Sequence, residues 1–262
     1  MGRGRQEEKG KVMKTLVVAN QKGGVGKTST LVHLAFDYYE RGYKVVVVDL
    51  DTQGNASYTL QHFKTGVIAS NFFNGGSVDI KTTDENLALI ESDAAMANME
   101  TMSLSRAGEN FRAGIASLEA QGFDICLIDT APSLGVSMAA ALLSADFVLS
   151  PIELEAYSIQ GIKKMNTTIT NIRKVNPKLK FLGMVPSKVD GRNPRHVSHL
   201  AQLKKAYPQL IIPASIGLRS SIADALASGV PVWKIKKTAA RKATQEVRSL
   251  ADLVFKKMEI TA

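Results

Sequence analysis

The sequence predicts an α/β fold with a mostly parallel central sheet and helices on both of its faces. Several short runs, such as VVVVD and ICLID, are apolar without interruption, which is typical of strands covered on both sides. Segments with helical spacing of apolar residues separate these runs along the chain. Regular alternation of this kind favours parallel strands joined by right-handed crossovers.

Each element follows from a local pattern. A first helix at 28–39 carries its apolar residues at helical spacing and stops before Gly42. The β-branched runs predict strands at 15–20, 44–50, 86–91, 124–130, 146–151, 180–186 and 210–214. Helical spacing predicts further helices at 105–121, 136–144, 157–174, 195–206, 220–228 and 238–258.

Composition bounds the class of protein. The chain has 262 residues, of which 45% are hydrophobic and 22% charged, as in ordinary globular proteins. It contains no apolar run near the ~18 residues that a membrane span needs, and its single cysteine, Cys126, cannot form an internal disulfide. We therefore expect a cytoplasmic protein with a short polar lead-in at 1–13 and a single domain at 14–262. The net charge of +9 favours an anionic partner.

The strongest local signal is VVANQKGGVGKTSTL, between a predicted strand and a predicted helix. Gly23, Gly24 and Gly26 let the backbone curl so that consecutive amides point at phosphate oxygens. The start of the helix adds its positive dipole end at the same place. Lys27 can then reach the β- and γ-phosphates, and the Thr28 hydroxyl can ligate Mg²⁺.

The motif KGGVGKT resembles the deviant Walker motif of the ParA/MinD group of ATPases. Gln21 stands where the ordinary motif has its first glycine, and Lys22 precedes Lys27 by five residues. Within that group, the chain is most similar to plasmid partition ATPases of the ParA type, the IncC-like ones in particular. The resemblance implies a P-loop NTPase fold, ATP and Mg²⁺ as cofactors, and an ATP-dependent homodimer in which Lys22 reaches the partner's nucleotide. It assigns nucleotide binding to Lys22, Gly23, Gly24, Val25, Gly26, Lys27, Thr28 and Ser29.

Two acidic segments follow predicted strands. Asp49 and Asp51 end VVVVDLD, and Asp129 ends ICLID in a Walker B arrangement. Ligands of open parallel sheets bind at the carboxyl ends of the strands, so these acids should meet the phosphate loop. We assign Mg²⁺ binding to Thr28, Asp129 and, in the outer shell, Asp49. The predicted catalytic residues are Lys22, Lys27 and Asp51, and Asp51 is expected to orient the attacking water. Residues 129–135 are predicted to be a switch segment that senses the γ-phosphate.

Two departures from the family pattern accompany these acids: Thr52 and Ala131 replace prolines. The resemblance also places the adenine near the loop 186–190 and the end of the next strand. It selects Lys188 and Pro213 as its contacts.

The positive charge is concentrated near the C-terminus, where Glu246 is the one acid between residues 234 and 248. The resemblance assigns non-specific DNA binding to basic residues here, whose phosphate contacts would be salt-dependent. The predicted DNA-binding residues are Arg219, Lys234, Lys236, Lys237, Arg241, Lys242 and Arg248. One arginine of the family pattern would fall on Ser221 instead.

Other classes that share the motif fit less well. Iron–sulfur reductases and scaffold ATPases need paired cysteines, and export-type tyrosine kinases need a membrane anchor and a tyrosine-rich tail. The remaining alternative is a MinD-like, membrane-associated positioning ATPase, because Val247, Leu250, Ala251 and Val254 form an apolar stripe. The basic cluster favours a nucleoid-associated partition ATPase that binds double-stranded DNA and is stimulated by a ParB-type centromere-binding protein.

Overall fold

The computed structural model describes residues 12–81, 86–155 and 158–260. Among these residues, seven strands form one sheet: β1 (Lys14–Val18), β2 (Val45–Asp49), β3 (Lys64–Ile68), β4 (Leu87–Glu91), β5 (Ile125–Asp129), β6 (Phe147–Glu153) and β7 (Lys180–Ser187). Their order across the sheet is β3-β4-β2-β5-β1-β6-β7. Every neighbouring pair is parallel, as the alternation of elements predicts.

The helices in the described part of the chain are α1 (Lys27–Glu40), α2 (Asn55–Thr59), α3 (Met96–Met99), α4 (Leu104–Ala120), α5 (Val136–Ser144), α6 (Ser158–Arg173), α7 (Pro194–Ala206), α8 (Ser220–Ala227) and α9 (Ala240–Lys257). Short 3-10 turns lie at Gln61–Phe63, Ala69–Phe73 and Val232–Lys234. The short helices α2 and α3 and the 3-10 turns have no counterpart among the sequence predictions, because three to five residues are too few to show helical periodicity.

Helices cover both faces of the sheet. Consecutive residues of β1 point to opposite sides, and Leu16 belongs to the core cluster that contains Leu31 of α1 and Leu250 of α9. Val17 belongs to the core cluster on the other face, which contains Phe111 of α4 and residues of α5 and α6. The predicted fold class is therefore confirmed.

Two strand predictions differ from the structure. The predicted strand at 210–214 is wrong, because its contact with β7 is limited to an isolated bridge between Ile211 and Met184 and its flanking hydrogen bonds. Pro213 has no N–H group and cannot extend that ladder. Edge strand β3, in turn, has no apolar run from which it could be predicted, since its residues alternate between exposed and half-buried positions.

The start of the chain is described from Val12 onward. Most of the predicted polar lead-in thus lies outside the described residues. Met13, its last residue, is buried in the core, and its backbone N–H donates to Glu119 Oε1 at 3.3 Å.

Candidate functional site

The phosphate loop lies between the end of β1 and the start of α1. Gly24 and Gly26 have φ angles of 74° and 90°, a left-handed conformation that glycine adopts without strain. A Cβ atom at Gly26 would come within 2.6 Å of Ser187 Oγ. The position therefore needs glycine for both its backbone angle and its space. Val25 is buried, and Ser29 Oγ donates to the Gly26 carbonyl at 3.1 Å, which further restrains the loop.

The loop forms one wall of a cavity of about 390 Å³. Its lining comprises Gly23, Gly24, Gly26, Lys27, Thr28, Ser29, Asp51, Gln53, Asn55, Tyr58, Thr59, Pro132, Leu226 and Ala227. The cavity thus contains most of the predicted phosphate-binding residues together with Asp51. Pro132, Tyr58 and the end of α8 were not predicted from the sequence, because each reaches the cavity from a distant segment.

Lys27 is a buried cation in this cavity. Its side chain is 6% exposed, and Nζ lies 3.4 Å from the Lys22 carbonyl oxygen. Burial lowers the pKa of Lys27, although Asp129 and Asp51 act in the opposite direction. A desolvated ammonium that makes one weak hydrogen bond to the described residues is well placed to bind phosphate oxygens.

Neighbouring strands bring the predicted metal residues together. Strand β5 lies between β1 and β2, and its Asp129 is in register with Val18 on one side and Asp49 on the other. Thr28 Oγ1 donates to Asp129 Oδ2 at 2.6 Å. Burial, then repulsion from Asp49, raises the pKa of Asp129 to about 8. A cation beside this buried carboxyl would relieve both effects.

Asp49 is held by its own segment. Its carboxylate accepts from the backbone N–H of Ser57 at 2.8 Å, from Ser57 Oγ at 2.7 Å and from the N–H of Asp51 at 3.1 Å. Burial raises the pKa of Asp49 despite these bonds. The arrangement suits the outer-shell position predicted for Asp49, since its oxygens anchor the segment that carries Asp51.

The donor set fits Mg²⁺ only when phosphate is present. Within the described residues, no group of three or more His, Cys, Asp or Glu side chains could hold a metal. Thr28 and Asp129 offer one hydroxyl and one carboxylate. Mg²⁺ commonly binds to one or two protein oxygens, with phosphate and water completing the shell.

Asp51 lies on the cavity wall and is 7% exposed. Its Oδ1 accepts from the Gln53 N–H at 3.0 Å, and its carbonyl accepts from Gly54 at 2.8 Å, which closes a tight turn. Asp51 therefore shares the cavity with the phosphate loop, and its role in orienting the attacking water stays a prediction.

Lys22 is not among the residues that line the cavity, although Gly23 is. Its ammonium forms an ion pair with Glu155 and lies 3.6 Å from Glu153. These acids raise the pKa of Lys22 against the effect of partial burial. The side chain is half exposed, so it is accessible to another molecule.

The two predicted adenine contacts differ in position. Lys188 has a φ of 53°, and its Nζ lies 4.0 Å from the place of a Cβ at Gly24, directly beside the phosphate loop. It also lies 3.7 Å from Glu153. Pro213 is exposed and follows Ile212, whose N–H donates to the Met184 carbonyl.

A second cleft, of about 660 Å³, lies between the loop after β7 and the start of α9. Arg219 and Lys242 line it, as does Arg192, whose side chain is 91% exposed. Arg192 was missed by the sequence analysis. Its signal is the stretch 188–206, which contains five lysines or arginines and a single acid, Asp190.

The predicted DNA-binding residues fall into two groups. Lys234, Lys236, Arg241 and Lys242 are exposed. The other three form ion pairs within the chain: Arg219 with Glu246, Lys237 with Asp224, and Arg248 with Asp37 and Glu40. Arg248 also stacks 3.6 Å from the centre of the Trp233 ring. Its guanidinium is therefore engaged in the fold.

Comparison with known proteins agrees with this geometry. The family of AAA domains matches residues 13–181. The IncC protein of Escherichia coli is 66% identical over 271 residues, which cover 100% of this chain and 74% of IncC. The sporulation initiation inhibitor protein Soj of Bacillus subtilis strain 168 is 30% identical over 228 residues, covering 84% of this chain and 90% of Soj.

A solved structure shows the same fold. It is cobyrinic acid a,c-diamide synthase from Mycobacterium smegmatis with bound ADP and magnesium, which is 27% identical and superposes with a TM-score of 0.76. The match covers 94% of this chain and 96% of that one. The resemblance inferred from the KGGVGKT motif is thus confirmed. The chain belongs to the ParA/MinD family of P-loop ATPases, together with the IncC proteins.

Proposed function

We propose that this protein is a ParA-type DNA partition ATPase. In this proposal, Mg-ATP drives formation of a sandwich dimer that binds DNA without sequence preference, and a ParB-type partner stimulates slow hydrolysis to reset it. The observation that carries the proposal is the cavity lined by the phosphate loop, Asp51 and Thr28, whose hydroxyl is hydrogen-bonded to Asp129. The high identity to IncC supports it.

The residues of the cavity suit phosphoryl transfer to water, which depends on positioning and charge neutralisation. The loop amides and Lys27 would hold the phosphates, and Thr28 and Asp129 would hold Mg²⁺. The bound metal would supply neutralisation of negative charge on the phosphates. Asp51, which lines the same cavity, would orient the attacking water. Lys22 is half exposed and does not line the cavity of its own subunit. On the basis of the family resemblance, we propose that it contacts the nucleotide of the partner subunit.

The exposed cations form the proposed DNA surface. Lys242 and Arg192 line the same cleft, although Arg192 Nε lies 3.2 Å from Asp190 Oδ1. Lys234 and Lys236 precede α9, and Arg241 lies in its first turn. Arg219 contributes less net charge because Glu246 accepts two hydrogen bonds from it, at 2.9 and 2.6 Å. Dimerisation would place two such surfaces on one duplex and sum their phosphate contacts.

The membrane alternative is less well supported. An amphipathic membrane helix must expose its apolar face, but Val247, Leu250, Ala251 and Val254 of α9 are each at most 4% exposed and pack in the core. In the described part of the chain, no helix has the length and apolarity to span a bilayer. We therefore propose a cytoplasmic, nucleoid-associated location.

The experiment is binding to random-sequence duplex DNA over a salt series with no nucleotide, with ADP, or with ATP and Mg²⁺. We expect tight, salt-sensitive binding only in the presence of ATP and Mg²⁺. Lys242→Gln should reduce the slope of log affinity against log salt by about 1, because one phosphate contact is lost. Lys174→Gln, which removes an exposed charge just after α6 on the other face of the sheet, should leave the slope unchanged.

Two outcomes would overturn the proposal. Absence of DNA binding in every nucleotide state would refute it. ATP-dependent binding to anionic liposomes in place of DNA would support the MinD-like alternative instead.

A further inference from the structure

The segment between β5 and α5 forms part of the cavity wall. It begins at Asp129, and Thr130 Oγ1 anchors that end by donating to the Val18 carbonyl at 3.1 Å. Further along, Pro132 lines the cavity and lies 3.7 Å from the place of a Cβ at Gly23. The segment therefore links the metal residue to the phosphate loop, and its position depends on how both of its ends are held.

Glu100 holds the other end of this segment. Its carboxylate accepts from the N–H of Val136 at 2.6 Å, from the N–H of Ser137 at 3.2 Å and from the Ser137 hydroxyl. Amides in the first turn of a helix lack partners within the helix, and a carboxylate is stabilised there by the helix dipole. A Cβ at Gly135 would overlap this carboxylate, so the segment must end in glycine for Glu100 to bind.

We call the contacts of Glu100 with Val136 and Ser137 the Glu100 clamp, and this clamp joins distant parts of the chain. Glu100 follows α3 and is exposed, and 36 residues separate it from Val136. No atom of Glu100 is among the groups that line the cavity. Its contacts are directed at the start of α5, which directly follows the Pro132 segment.

We propose that Glu100 is a positioning residue for ATP hydrolysis, acting through the start of α5 to hold the Thr130–Gly135 segment against the phosphate loop. The inference rests on the ATPase function proposed above. Loss of the carboxylate would leave the first α5 amides unpaired and free the C-terminal end of the segment. Pro132 would then be held less closely against the phosphate loop, while Asp129 stays fixed in β5 and the loop still binds nucleotide.

The test compares Glu100→Ala and Glu100→Gln with the wild-type protein. Glu109→Ala is the matched control, because Glu109 is an exposed acid of α4 whose carboxylate accepts from Ser105 alone among the described hydrogen bonds. For Glu100→Ala we expect kcat to fall by about tenfold or more, with KM for ATP and the thermal midpoint nearly unchanged. Glu100→Gln keeps one acceptor oxygen and should recover part of the rate.

Amide hydrogen exchange tests the clamp independently of turnover. In Glu100→Ala, the amides of Val136 and Ser137 should exchange at least about tenfold faster, with no such change in Glu109→Ala. Unchanged exchange in Glu100→Ala would overturn the inference. A fall in kcat accompanied by a higher KM for ATP and a lower thermal midpoint would overturn it as well. Wild-type protein without ATPase activity would instead refute the proposed function, and the exchange data would still decide whether Glu100 holds the segment.

Discussion

Replacing His33 by glutamine should flatten the acid side of the protein's stability–pH profile. His33 lies in α1, is 1% exposed, and bridges two segments. Its Nδ1 lies 2.7 Å from the Ser29 carbonyl, to which it must donate, and its Nε2 accepts from the Val232 N–H at 3.2 Å. Both ring nitrogens are therefore satisfied in the neutral form, and a second proton would meet the N–H of Val232.

The magnitude follows from the pKa values. Burial lowers the pKa of His33 from 6.5 to about 4, although the bond to Ser29 acts in the opposite direction. Below pH 6.5 His33 is protonated in the unfolded chain, but in the folded protein it stays neutral down to about pH 4. The free energy of unfolding therefore decreases as the pH falls through this window. The full effect is about 3 kcal/mol, of which about 2 kcal/mol should already be lost at pH 5.

Urea unfolding at pH 8 and pH 5 measures the effect. His33→Gln loses one hydrogen bond and should be less stable at pH 8 by about 1–3 kcal/mol. Its further loss on going to pH 5 should be smaller than that of the wild-type protein by about 2 kcal/mol. His62→Gln, at an exposed position, should retain the wild-type pH dependence. Parallel profiles for wild type and His33→Gln would refute the reasoning.

Two further predictions concern the cavity. Gly26→Ala should weaken ATP binding at least about tenfold in calorimetry, because alanine is strained at a φ of 90° and its Cβ would meet Ser187 Oγ. Gly161→Ala, on α6 with open space around it, is the control, and equal affinity in both would contradict the loop geometry. Asp129→Asn should abolish Mg²⁺-dependent turnover yet raise the metal-free unfolding free energy at pH 7.5. Burial and repulsion from Asp49 disfavour the charged form of Asp129 in the folded protein, and asparagine carries no charge. Since the folded pKa is raised, this gain should shrink toward pH 4, and a uniform gain would contradict it.

Local patterns were sufficient to predict much of the fold and the site. Strands β2 and β5 are apolar up to their final aspartates and β1 is apolar from Leu16 onward, because helices cover both faces, so they are visible in the sequence. The phosphate loop needs glycine at fixed places for its backbone angles, and Asp49 and Asp129 stand at strand ends. These features depend on neighbouring residues. Edge strand β3 and the short helices lack such a pattern and could not be predicted.

The sequence by itself determined the class of site, because phosphate binding is carried by a contiguous loop whose residue types follow from backbone geometry. Only the tertiary structure decided which charges remain available. Arg219 and Arg248 look equivalent to Lys242 along the chain, but Glu246 and Asp37 neutralise them through contacts between distant segments. The Glu100 clamp on α5 likewise has no local signature. The physical reason is that ion pairs and helix caps between distant segments depend on how helices pack on the sheet, which residue order alone does not encode locally.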